Sequence, residues 1–154
     1  MIIIHPFARP LKDGRPNPKN YPHWKELIQK IEEPIIQVGV DGEQQLVKDF
    51  RKNLSLPELS ALIKECRTWV GVDSFFQHLC WDLGKSGIVL WGQSDPLIFG
   101  HPENINLLKD RKYLRKDQFL IWDGVNNIPD SFVSTDEIIS SLSTIINPSI
   151  QANI

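Results

Sequence analysis

The chain is constrained most by a set of short apolar runs in which polar residues do not alternate. Ile2-Ile3-Ile4, Ile35-Ile36-Gln37-Val38-Gly39-Val40, Trp69-Val70-Gly71-Val72 and Gly87-Ile88-Val89-Leu90-Trp91 are all of this kind. A strand with one face in water alternates; a strand covered on both faces has no need to. Between these runs apolar residues recur at helical spacing, as in Trp24, Leu27, Ile28 and Ile31, and again in Leu59, Leu62, Ile63 and Cys66. Strand and helix signals that alternate in this way predict a parallel sheet with helices on both faces. The expected fold is α/β, a Rossmann-like three-layer sandwich with a parallel sheet of five or six strands. One domain spans residues 1–154.

Local signals set the boundaries. Ser55-Leu56-Pro57-Glu58 and Ser134 to Glu137 read as capping boxes, each opening a helix. The segment Ser74 to Leu83 is a helix closed by Gly84, and Ile105 to Leu108 is an edge strand. Glu43 to Phe50 is expected to form a short helix and Phe50 to Leu54 a small strand. Trp81 and Trp91 are expected in the core. Phe7 to Pro22 carries Pro10, Pro16, Pro18 and Pro22 and several cations, the composition of a functional loop.

With 17 Lys plus Arg against 19 Asp plus Glu, the net charge of -2 gives no basic footprint for nucleic acid. Cys66 and Cys80 lie in no CxxC pattern and are expected as buried thiols. The apolar start is too short for a signal peptide or a membrane span, so a cytoplasmic protein is expected. No metal-ligand spacing and no cofactor fingerprint is present: GxGxxG, GxxxxGK[ST] and GxSxG are all absent.

In an open parallel sheet, ligands sit beyond the carboxyl ends of the strands. The polar residues that follow the strands include His5 and Lys19, then Asp41 and Glu43, then Asp73, Ser74, Gln77 and His78, then Gln93, Ser94 and Asp95. Ser74 and His78 are i and i+4 at a helix start, so they share one face at its positive end. Unpaired N–H groups beside a hydroxyl and an imidazole suit a diphosphate. The competing reading makes Ser74 a cap, with Gln77 three residues on, and His78 a structural histidine. His5, His23 and His101 are scattered along the chain without a partner.

The order of motifs resembles the C-terminal, donor-binding half of a glycosyltransferase family 9 enzyme, the heptosyltransferase-like group. His5-Pro6-Phe7 stands for that family's His-Pro-Gly, and Lys19-Asn20-Tyr21-Pro22 for its Lys-x-Trp-Pro. Gly71-Val72-Asp73-Ser74-Phe75-Phe76-Gln77-His78-Leu79, Leu83-Gly84-Lys85 and Trp91-Gly92-Gln93-Ser94-Asp95-Pro96 follow its longer signature in order. The resemblance implies one half of a GT-B fold that binds a nucleotide sugar. Lys19, Ser74 and His78 would hold the donor diphosphate, and Glu43, Asp73, Gln77 and Ser94 would contact sugar or nucleotide. No catalytic base is assigned. The acceptor half would come from a partner chain, and the alternative is a non-catalytic module that binds a nucleotide or nucleotide sugar. Phe7 and Phe75 replace family glycines, and Phe75 is expected to narrow the approach to the helix backbone.

Overall fold

A computed structural model describes residues 1–149 of the chain. Six strands form a single all-parallel sheet: β1 (Ile2–His5), β2 (Ile35–Gly39), β3 (Phe50–Lys52), β4 (Thr68–Val72), β5 (Ile88–Trp91) and β6 (Ile105–Leu108). Their order is β3-β2-β1-β4-β5-β6. The chain winds outward in one direction from β1 through β2 to β3, then crosses back to β4 and continues the other way. This is the Rossmann-like doubly wound order, with its reversal between β1 and β4.

β1 lies inside the sheet, paired with β2 on one side and with β4 on the other. Ile2, Ile3 and Ile4 are completely buried, and they divide between the two faces of the sheet. Ile2 and Ile4 join Val70, Val72, Ile88 and Leu90 beneath two helices, α1 (Trp24–Lys30) and α5 (Thr135–Ile146), which contribute Trp24, Leu27, Ile138 and Leu142. Ile3 joins Val38, Trp69, Val89 and Trp91 beneath α2 (Leu56–Glu65) and α3 (Phe75–Asp82), which contribute Leu59, Leu62, Ile63, Phe76 and Cys80. The unbroken apolar runs are thus explained: both parities of side chain need a helix to pack on.

The caps stand where the sequence puts them. Ser55 Oγ accepts from the Glu58 N–H while the Glu58 carboxylate accepts from the Ser55 N–H at 2.7 Å. Ser134 Oγ accepts from the Glu137 N–H at the start of α5, but Glu137 makes no return bond, so this cap is half of the box the sequence suggests. Gly84 takes φ +70 after α3, a conformation that a side chain would disfavour. Cys66 and Cys80 are buried free thiols.

Two expectations are corrected. Glu43 to Phe50 forms no helix; it runs as turns and extended chain into β3. The cause is Gln37, fully buried in β2, whose amide donates to the Gln44 carbonyl at 2.8 Å and accepts from the Leu46 N–H at 2.7 Å. These bonds hold the segment against the strand and take backbone groups that a helix would use. Trp81 is not a core residue. It is 46% exposed and stacks on His101 with ring centroids 4.5 Å apart, whereas Trp91 is buried as expected.

Ser55→Ala removes one half of the reciprocal cap on α2. It is expected to lower the unfolding free energy by about 1 kcal/mol, read as a shifted urea midpoint with an unchanged slope.

Candidate functional site at the switch point

Every strand points its carboxyl end to the same edge, so the loops after β1, β2, β4 and β5 meet there. The loop after β1 is held by its own asparagines. Asn20 Oδ1 accepts from the Ala8 N–H at 2.9 Å, and Asn17 bridges the Arg9 carbonyl and the Lys19 N–H, each at 3.0 Å. From outside the loop, Asn127 donates to the carbonyls of Pro18 and Asn20. The prolines restrict the backbone and the amides satisfy it, so Lys19 is delivered to a fixed place.

That place is beside Asp73, where β4 ends. Lys19 Nζ lies 3.5 Å from Asp73 Oδ2, with both side chains largely buried. Gln77 Nε2 donates to the other carboxylate oxygen at 2.8 Å. Ser74 caps α3, its Oγ accepting from the Phe76 N–H at 3.3 Å and lying 3.2 Å from His5 Nδ1. The cap differs from the box that the sequence suggests, since Gln77 turns inward to Asp73 rather than back to Ser74. One turn on, His78 Nδ1 lies 2.7 Å from His101 Nε2. His101 is therefore not isolated: the fold brings it to His78 from the far side of β5. Partial burial lowers the His78 pKa, and the neighbouring His101 lowers it further.

Two cavities flank this point. The first, of about 510 Å³, is lined by Lys19, Asp73, Ser74, Phe75, His78, Ser94 and Gln118, with Phe99, Phe119 and Trp122 forming an aromatic wall. The second, of about 640 Å³, runs from His5, Lys19 and Ser74 towards β2 and β3, past Gly39, Glu43, Arg51 and Asn53. Lys19, Ser74 and Phe75 line both. Volumes of this size take a small polar ligand in parts. Glu43 packs on Gly39 so closely that a Cβ there would overlap its carboxylate. One oxygen of that carboxylate is buried without a hydrogen-bond partner, and burial raises its pKa.

Of the residues picked out from the sequence, Lys19, Asp73, Ser74, His78 and Ser94 share one cavity, and Glu43 lies in the adjoining one. Gln77 is fully buried beneath them and touches Asp73. Phe75 is 60% exposed and stands at the rim. Asp95 is engaged elsewhere: it caps the short helix α4 (Pro96–Phe99) and forms a two-pronged pair with Arg111 at 3.1 and 2.7 Å. Arg111 holds its carboxyl below the usual range. Trp122 and Phe119 carry no sequence signal, because long-range folding of an irregular segment brings them to the cavity.

A six-stranded parallel sheet with a polar crevice at its switch point, where a lysine and a helix start converge, defines a Rossmann-like domain. The match to a family model makes this specific. The model of glycosyltransferase family 9 (heptosyltransferase) covers residues 2–114, so the chain belongs to that family. No curated protein and no solved structure matches the chain significantly.

His5 supplies a pH test of this packing. Burial lowers its pKa to about 4 from 6.5. The unfolded chain then binds the extra proton first, so stability is complete above pH 6.5 and falls as the pH drops towards 4. The loss is roughly 3 kcal/mol over that window. Denaturation between pH 7 and pH 5 is expected to show this slope, and His5→Asn is expected to flatten it.

Proposed function

We propose that the chain is the donor-binding half of a nucleotide-sugar glycosyltransferase, with the acceptor site supplied by a partner domain or chain. The convergence of Lys19, Ser74 and His78 in one cavity at the start of α3 carries this reading. A diphosphate there meets a cation, a hydroxyl, an imidazole and the free N–H groups of an eight-residue helix. As the glycosidic bond breaks, negative charge grows on the leaving diphosphate, and donors already aimed at it stabilise the transition state. Asp73 and Ser94 lie beside that position and would contact the sugar. Glu43, which lines the adjoining cavity, would take a hydroxyl of the nucleotide or sugar there, and Gln77 would hold Asp73 in place. The two cavities joined at Ser74 suit a two-part ligand, one on each side of its phosphates.

The acceptor hydroxyl needs a general base. Asp73 is the one carboxylate that lines the smaller cavity among the described residues, and it is paired with Lys19 and Gln77. This favours a base supplied by the partner, as expected for one half of a GT-B fold. The same observation supports a second reading, a non-catalytic module that binds a nucleotide or nucleotide sugar. The two are separated by adding an acceptor domain: sugar transfer by the pair supports the first, and binding without transfer supports the second. The chain alone is expected to bind donor without transferring its sugar.

Calorimetry tests the shared premise. A nucleoside diphosphate is expected to bind and the matching nucleoside to bind far more weakly. His78→Ala is expected to leave the fold intact and to weaken diphosphate binding by about 1.5–3 kcal/mol, the worth of a hydrogen bond to a charged group. Lys19→Ala is expected to weaken it most at low salt. Unchanged affinity in both variants would place the ligand elsewhere.

A further inference from the structure

The last residue of β1 lines the larger cavity but is given no role in holding the diphosphate, yet it touches Ser74 at the centre of that site. His5 is 6% exposed. Its ring lies flat on Phe76, centroids 4.8 Å apart at 4°, and meets the edge of Phe75 at 5.9 Å and 90°. Two aromatic rings from α3 thus fix the imidazole plane, and Nδ1 faces Ser74 Oγ at 3.2 Å.

Hydrogen-bond counting at Ser74 decides what this contact does. A serine hydroxyl has one proton to donate and two lone pairs to accept with. One lone pair takes the Phe76 N–H. If Nδ1 is bare, the Ser74 proton points at His5, and the cavity is offered only a lone pair, which repels an anion. If Nδ1 carries the hydrogen, both lone pairs are filled and the Ser74 O–H is left free to point into the cavity. Ser74 lines both cavities, so that proton is presented where they join.

We propose that His5 is a positioning residue, whose Nδ1–H donates to Ser74 Oγ and turns the Ser74 hydroxyl proton outward as a ready donor to a diphosphate oxygen. The inference rests on the diphosphate reading above and adds the group that sets the hydrogen-bond direction. Burial keeps the ring neutral at pH 7, so it carries one hydrogen and has one tautomer to choose. With the direction fixed before the ligand arrives, no hydroxyl reorientation is needed on binding.

Nitrogen-15 NMR of the free wild-type protein at pH 7 reads the tautomer directly. The expected result is a protonated Nδ1 and a bare Nε2 on His5; a bare Nδ1 overturns the inference, whether or not any nucleotide binds. Affinity for a nucleoside diphosphate supplies the functional arm. His5→Asn places an amide donor near the Nδ1 position and is expected to keep near wild-type affinity. His5→Leu is expected to lose about tenfold or more. In a Ser74→Ala background His5→Leu is expected to have no further effect, because no hydroxyl remains to orient. An equal loss with and without Ser74 would make His5 merely structural and overturn the inference. If the wild type binds no nucleoside diphosphate, the donor-binding reading fails, while the tautomer still decides the role of His5. Thermal unfolding confirms that each variant is folded before its affinity is compared.

Discussion

The central placement of β1 is the constraint on which the rest depends. It stands at the reversal of winding, paired with β2 on one side and with β4, the first strand of the other half, on the other. Three consecutive isoleucines, completely buried, secure it to the helices on both faces. Because the winding reverses there, the loops after β1 and β4 part above the sheet instead of covering one another, and a crevice opens between them. Lys19 reaches that crevice from one loop, and Asp73 and Ser74 stand at its opposite side. A change that displaced β1 would damage the core and the site together.

Polar residues in the crevice are few, and most have more than one task. Asp73 fixes Lys19 and is itself held by the buried Gln77. Ser74 caps α3 and faces two cavities. Charge in the crevice is therefore balanced before any ligand enters, and an incoming diphosphate would compete with Asp73 for Lys19. The Pro-rich loop makes this possible without a long disordered segment, since asparagine side chains take the backbone groups that secondary structure would otherwise satisfy.

Much of this is legible in the sequence, for identifiable reasons. Runs such as Ile88-Val89-Leu90-Trp91 encode a doubly covered parallel strand by lacking alternation, and Ser55 with Glu58 encodes a helix start within four residues. Ser74 and His78 are near neighbours in sequence, so helical spacing suffices to put them on one face. What escapes local reasoning depends on partners far along the chain. Glu43 to Phe50 is not helical because Gln37 takes its backbone groups. Trp81 remains outside because His101, twenty residues on, offers its ring there. Neither the His78–His101 contact nor the aromatic wall of Phe119 and Trp122 has any signature in spacing.

The central claim is that a phosphorylated ligand binds in the crevice between β1 and β4. Backbone amide shifts followed by NMR during titration with a nucleoside diphosphate locate the ligand most directly. The largest shifts are expected at Ser74, Phe75 and Phe76 and in the loop around Lys19, with β3 and the Glu43 segment next and α5 silent. Shifts centred on the opposite edge of the sheet, or none at saturating ligand, would contradict it.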